Sequence, residues 1–286
     1  MVRRAVVPLV LVLTGCSAPE EILDVSYDDR FGAATTLDLY LPAGGGDARP
    51  AVMFIHGGGW RIGSKEDYTR AAKRLAGSGF VAATINYRLV PDGEYPAAVQ
   101  DCVCALSFLR ANADAYGLAP DRVAVWGYSA GGHLASIVGD AADHPEHVPD
   151  CASGATGLPA AVVSGAGRQD LAAEEHWWIT DFLGGTPDEV PERYETASPI
   201  THVRPGLPPY LFVVGEDDAP ADQDGIEEMQ DALQAEGNDA SLLVVSGGGH
   251  LLNPSVDGGG WELSTSDQDP TAWIASLDFL DRTIGK

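Results

Sequence analysis

Gly127-Tyr128-Ser129-Ala130-Gly131 sets a serine between glycines, after the apolar run Val123-Ala124-Val125-Trp126 and before a stretch that suits a helix. This is the G-x-S-x-G pattern. A chain that leaves a strand and turns at once into a helix holds the central residue at a strained φ/ψ, and side chains on its neighbours would block the turn. The serine hydroxyl then stands above the carboxyl end of the strand, near the positive end of the helix dipole, placed for nucleophilic attack. The five-residue pattern alone is common; the strand before it and the helix after it make it specific.

About seventy residues earlier, His56-Gly57-Gly58-Gly59-Trp60 closes the apolar run Ala51–Ile55. A glycine loop there lets backbone N–H groups approach a developing oxyanion, and loss of one such donor costs about 2.7–4 kcal/mol of transition-state stabilisation. His56 is expected to orient this loop rather than to move protons.

A serine hydroxyl needs a base, and the base needs a carboxylate to fix its tautomer. Six histidines follow Ser129: His133, His144, His147, His176, His202 and His250. His250 alone lies in a loop directly after a late strand, behind Ser246-Gly247-Gly248-Gly249. His133 falls one turn into the helix after the serine, where packing is the expected role. For the acid, Tyr210–Val214 runs into Gly215-Glu216-Asp217-Asp218. Asp217 and Asp218 are level on pattern alone. Glu216 and Asp222 are expected to be surface charge or the N-cap of a helix starting near Ala221. Asp143-His144-Pro145-Glu146-His147 gathers metal-ligand types, but Pro145 breaks their helical spacing, and neither metal nor cofactor is expected.

The elements that position these groups read as an alternation. Ile22–Tyr27 and Thr35–Tyr40 form an antiparallel pair around a turn at Arg30–Gly32. Strands follow at Ala51–Ile55, Phe80–Tyr87, Arg122–Trp126, Ala160–Ser164, Tyr210–Val214 and Ser241–Val245. Helices are expected from about Asp67 to Ala76, over Tyr95–Ala113, Ala130–Asp140, Ala221–Ala235 and Asp269–Ile284. Strands alternating with helices call for a mostly parallel central sheet with helices on both faces, the α/β class. With 286 residues and no internal repeat, one domain is expected, over residues 16–286.

Ahead of it, Arg3 and Arg4 precede an apolar run from Ala5 to Leu13 that is too short to span a bilayer, the pattern of a secretory signal over residues 1–15. The run ends in Leu13-Thr14-Gly15-Cys16, which resembles a bacterial lipobox. That resemblance implies acylation of Cys16, export across the inner membrane and a lipid anchor on the cell envelope. Outside the cytoplasm a disulfide is permitted, and Cys151 is expected to pair with Cys102 or Cys104. These two are separated by two positions on one helix and so point apart; one of them should stay free. Lys and Arg number 17 against 42 Asp and Glu, a net charge of −25, which repels phosphate backbones and excludes nucleic acid as a partner.

Taken together, His56–Trp60, Asn86-Tyr87-Arg88-Leu89 with Tyr95-Pro96-Ala97-Ala98, and Gly127-Tyr128-Ser129-Ala130-Gly131-Gly132 resemble the hormone-sensitive-lipase-like and feruloyl- and acetyl-esterase-like carboxylesterases of the α/β-hydrolase fold. The resemblance covers roughly residues 35–284. It implies an oxyanion hole from the amides of Gly58, Gly59 and Ala130, and an acid three residues past the glycine that closes its strand, which selects Asp218. Ser129, Asp218 and His250 would then hydrolyse short-acyl esters through an acyl-enzyme, on small-molecule substrates such as acetylated carbohydrate or aryl esters, with activity rising as the imidazole loses its proton. An arylformamidase-like amide hydrolase would use the same residues. A catalytically silent binding lipoprotein is the alternative of another class, and a complete serine, acid and histidine set argues against it. A short lid is expected at about residues 170–199, where Trp177 and Trp178 either plug the lid onto the body or wall a substrate pocket. The loop Leu251–Ser266, with Gly258-Gly259-Gly260-Trp261, is longer than the resemblance leads one to expect.

Overall fold

In the computed structural model, residues 18–44, 48–172, 176–250 and 270–285 are described. Eight strands form one sheet: β1 (Glu20–Ser26), β2 (Thr36–Leu41), β3 (Arg49–Ile55), β4 (Val81–Ile85), β5 (Leu118–Tyr128), β6 (Val162–Gly165), β7 (Tyr210–Gly215) and β8 (Ala240–Val245). Their spatial order is β1-β2-β4-β3-β5-β6-β7-β8. β1 and β2 pair antiparallel, as does β2 with β4; every later pairing is parallel. The central parallel strands are mostly runs of Val, Ile, Ala, Leu and Phe without polar alternation, as strands covered on both faces must be. β3, β4, β6 and β7 are buried almost end to end. The mostly parallel sheet with covering helices is the α/β-hydrolase arrangement.

The helices are α1 (Thr69–Gly77), α2 (Ala97–Ala111), α3 (Ala113–Tyr116), α4 (Ala130–Ala141), α5 (Trp177–Leu183), α6 (Pro191–Ala197), α7 (Gln223–Ala235) and α8 (Pro270–Thr283). All twelve residues of α4 are buried, so the helix that follows the serine runs through the core with no solvent face. It packs on β5 and β6 beside α2. On the other face α1 and α8 meet, with the Arg74 guanidinium 4.4 Å from the Trp273 ring; that ring stacks on Trp126 of β5 at 5.5 Å.

Cys104 and Cys151 form a disulfide, tying α2 to the loop after α4, and Cys102 is a buried free thiol. This selects one of the two pairings open to the sequence. α7 starts two residues later than expected, because the Asp222 carboxylate accepts the Gly225 N–H and caps the helix there. β5 starts four residues earlier than expected, with Leu118 opposite Arg49 ahead of the register shift that admits Pro120 and Asp121. Among the described residues no helix is long and apolar enough to cross a membrane. The signal, lipobox and Cys16 expectations, and the loop Leu251–Ser266, lie outside the described residues.

Candidate active site

β5 delivers the serine. Ser129 has φ 55° and ψ −123°, a region a residue with a Cβ occupies only when its surroundings enforce it. Two glycines do so. A Cβ on Gly127 would lie 1.9 Å from the Gly131 carbonyl oxygen, and one on Gly131 would lie 2.1 Å from that of Ile55. The elbow is closed on both sides by backbone. The Ser129 N–H donates to the Gly165 carbonyl at 2.8 Å and its own carbonyl accepts from His133 N–H at 3.0 Å, which binds the turn to β6 and starts α4.

His250 reaches this serine from the loop after β8. Its Nε2 lies 3.0 Å from Ser129 Oγ, and its Nδ1 lies 2.7 Å from Asp218 Oδ1. A carboxylate only accepts, so Nδ1 carries the proton and Nε2 faces the hydroxyl as acceptor. Asp218 is buried and also accepts the Ala221 N–H at 3.0 Å. Tyr128, buried beside it, has its phenol pushed well above the ordinary range, first by burial and then by the Asp218 charge. Asp217 is exposed; its backbone N–H donates to the Gly248 carbonyl at 2.8 Å. Of the two carboxylates the sequence left level, Asp218 meets the imidazole.

Glu216 has a part that sequence reasoning missed. Its Oε2 accepts the Ser246 hydroxyl at 2.8 Å and the Gly247 N–H at 2.9 Å, and these bonds hold its carboxyl below the usual carboxylate range. The expected surface charge thus ties down the loop that carries His250. No sequence signal separates such a glutamate from an ornamental one, since its partners lie thirty residues away.

Gly58, Gly59 and Ala130 line the cavity at Ser129. The Gly58 carbonyl turns back to accept the Arg61 and Ile62 N–H groups, and a Cβ on Gly58 would collide with the Ile62 carbonyl at 2.2 Å. His56 is sealed beneath this loop: its ring stacks on Tyr87 at 4.2 Å, its Nδ1 lies 2.8 Å from the Gly57 carbonyl, and the Tyr87 hydroxyl donates to its carbonyl at 2.9 Å. Burial lowers its pKa to about 4. His56 is therefore a neutral prop, 1% exposed.

The cavity measures about 460 Å³. Its floor is Ser129, Ala130 and His133, and its sides are mostly apolar: Trp60, Ile62, Ala166, Trp177, Trp178 and Pro220. His133 is buried, donates Nε2–H to the Ala197 carbonyl at 2.8 Å, and is held neutral by burial with a pKa of about 4. Helices α5 and α6, in the segment expected as a lid, pack over this floor, with Phe182 stacked on Trp60 at 4.4 Å. Both lid tryptophans face the cavity, Trp178 half-buried and Trp177 64% exposed. The pair stands as a wall of the cavity, while Phe182 rather than Trp177 packs this segment onto the body. Arg61 and Arg168 also line the cavity, and no motif marks either of them.

His144, His147 and His202 bring their rings within 5.1–5.9 Å of one another, away from this site. Both nitrogens of His147 are spoken for, Nδ1 at 2.8 Å from the Ala141 carbonyl and Nε2 at 2.8 Å from the Tyr95 hydroxyl. His176 opens the lid helix and takes a hydrogen bond from Arg168.

The chain is 32% identical to Esterase LipC of Mycobacterium tuberculosis over 211 residues, 70% of this chain and 52% of that protein. It is 30% identical to isoprenylcysteine alpha-carbonyl methylesterase ICME of Arabidopsis thaliana over 244 residues, 79% of this chain and 57% of that one. It spans about half the length of these curated relatives. Among solved structures, a thermophilic esterase of Thermogutta terrifontis superposes with a TM-score of 0.72 at 26% identity, over 93% of this chain and 92% of that one. A carbohydrate esterase from gut microbiota, at 22% identity, shares the fold with a TM-score of 0.76 over 95% of this chain and 98% of the other. The BD-FAE family profile matches residues 37–233, the stretch that holds β2 to α7 with the glycine loop, the elbow and Asp218, and the chain belongs to that family.

Proposed function

We propose that the chain is a serine carboxylesterase that hydrolyses short-acyl esters, with acetyl groups on carbohydrate or aryl alcohols as its substrate class. The observation that carries this reading is the run Ser129 Oγ, His250 Nε2 and Nδ1, Asp218 Oδ1, with contacts of 3.0 and 2.7 Å. Ser129 attacks the ester carbonyl while Nε2 takes its proton. Asp218 stabilises the imidazolium, and the amides of Gly58, Gly59 and Ala130 receive the negative oxygen. The proton passes to the leaving alcohol, and water repeats the cycle to free the acid. A cavity of about 460 Å³ under a lid with tryptophan walls suits a small acyl group and a flat alcohol.

Residues 16–286 form the hydrolase domain in this reading, and an acylated Cys16 holds it to the bacterial envelope after export. This rests on the pattern of residues 3–16. Two acyl chains or more give firm attachment, since each buried CH₂ contributes about 0.8 kcal/mol.

The test is hydrolysis of 4-nitrophenyl acetate beside labelling with a fluorophosphonate probe. The wild-type protein takes the label and turns over the ester faster than a matched formamide. Ser129→Ala takes no label and loses activity by about 10⁴-fold or more. Full turnover by Ser129→Ala removes the reading.

A further inference from the structure

Asp218 has two carboxylate oxygens, and the contacts described so far engage one of them. Oδ1 takes the His250 Nδ1–H at 2.7 Å and the Ala221 N–H at 3.0 Å. Oδ2 is buried as well, and among the described residues it has no hydrogen-bond partner. A buried acceptor without a donor is costly, and one that belongs to a catalytic acid calls for a physical explanation.

A buried donor stands beside it. The Tyr128 hydroxyl, on a side chain 2% exposed, likewise has no hydrogen-bond partner among the described residues. Its ring is fixed in place. Tyr128 lies opposite Gly165 in the β5–β6 ladder, and a Cβ on Gly165 would come 2.2 Å from Tyr128 Cδ2, so the glycine is what admits the ring. The same ring lies 5.8 Å from that of His250. Asp218 bears on the phenol through its charge and as a hydrogen-bond acceptor. Tyr68 bears on it as well. The Tyr68 hydroxyl is also buried and unengaged, but the charge that reaches it is that of Asp67. A carboxylate can only accept, whereas a protonated phenol can donate. Of the two phenols, Tyr128 is therefore the one placed to serve Asp218.

We propose that Tyr128 is a positioning residue of the triad, its hydroxyl donating to Asp218 Oδ2 and so fixing the carboxylate for His250. This deepens the esterase reading and rests on it. With Oδ1 bound to the imidazole and Oδ2 to the phenol, the carboxylate keeps the one orientation in which Nδ1 holds its proton and Nε2 faces Ser129. The phenol also shares the negative charge, which moderates the hold of Asp218 on the imidazolium. The residue that precedes the nucleophile on β5 would thus set the acid, through a contact that no spacing in the sequence displays.

The measurement is the pH profile of kcat/KM for 4-nitrophenyl acetate, beside urea unfolding, in the wild type, in Tyr128→Phe and in a protein with 3-fluorotyrosine in place of Tyr128. Tyr128→Phe is expected to lower kcat by about 10-fold with KM near wild type. It also moves the acid limb of the profile up by about 0.5 to 1 pH unit. Oδ2 then keeps its full charge beside the imidazolium, and the protonated, inactive form persists to higher pH. 3-Fluorotyrosine is a stronger donor of nearly the same size, and it moves the limb to lower pH. That protein decides the matter where Tyr128→Phe fails to fold. Removing a buried hydroxyl that has no partner leaves stability equal or higher. A Tyr128→Phe with the wild-type acid limb and an equal or higher urea midpoint therefore overturns the inference and leaves the esterase reading standing. A loss of kcat with the acid limb unmoved in both altered proteins overturns it in favour of simple packing beneath Ser129. Absence of wild-type turnover, with no fluorophosphonate label, overturns both readings.

Discussion

Asp217 and Asp218 are neighbours of the same type, and the difference between them lies in which one the turn after β7 directs inward. The Asp218 N–H folds back to the Gly215 carbonyl at 3.2 Å. Its side chain is thereby buried against His250, while Asp217 stays in solvent and lends only its backbone. Asp218→Asn is expected to lower kcat by about 10⁴-fold, because an amide favours the wrong imidazole tautomer. Asp217→Asn should stay within a few-fold of wild type. Steady-state kinetics on one aryl ester compares the two, and an equal loss would show that the turn rather than the carboxylate matters. At this scale the sequence displayed whatever repeats as a local pattern: the serine between glycines, and the glycine loop behind His56. The choice between two aspartates needed the resemblance, because a turn's direction is not written in the types of its residues. Glu216 and Arg168 were out of reach altogether, since their partners at Ser246, Gly247 and His176 are brought near by the fold alone.

The elements were legible because each parallel strand is a short unbroken apolar run ending in glycine or a turn, and each helix between them has room to cross back over the sheet. What blurred their ends was side-chain capping and register. Asp222 moves the start of α7, and a bulge between Arg49 and Ala51 lets β5 begin ahead of a proline. The segment expected as a lid carries α5 and α6, whose orientation was not legible, as seven-residue helices have too little periodicity to show a buried face. The elbow is where element and residue constrain each other most tightly. Gly131→Ala must push its Cβ against carbonyl oxygens of Ile55 and His56, 2.1 and 2.6 Å away. Those atoms belong to β3 and to the loop that leads to the glycine amides, so they cannot give way without moving the site. We expect a loss of about 3 kcal/mol or more of stability, the range of core overpacking that reaches backbone. Urea unfolding beside wild type checks this. An unchanged midpoint with activity intact would mean that β3 and α4 can separate at little cost.

Over the whole molecule the surface is strongly acidic, while three of the seven histidines are buried and neutral. His56, His133 and His147 each have a pKa lowered to about 4, in every case first by burial. Between pH 4 and the ordinary value near 6.5, the unfolded chain binds protons at these sites that the folded chain refuses. Stability is therefore full above about pH 6.5 and falls as the medium is acidified, by up to about 3 kcal/mol for each histidine. Asp101 and Asp140 act in the opposite sense. Burial raises both, strongly for Asp140, so the folded chain holds their protons at a pH where the unfolded chain has released them, and their contribution weakens as pH rises. The net charge of −25 adds a self-repulsion that acid relieves. The wild-type curve alone mixes these effects, and a difference between two proteins separates them. His147 is the suitable site: it lies outside the cavity, and both its nitrogens are engaged, by Ala141 and Tyr95. His147→Gln lowers the melting temperature at pH 7 through lost packing. It also removes one proton-binding site of the unfolded chain, so the gap to wild type should narrow between pH 7 and pH 4.5, by on the order of 5 °C. Scanning calorimetry at half-unit steps of pH measures it. Two melting curves that run parallel across this window would show that His147 titrates alike in the folded and unfolded chain, and that its burial carries no cost in acid.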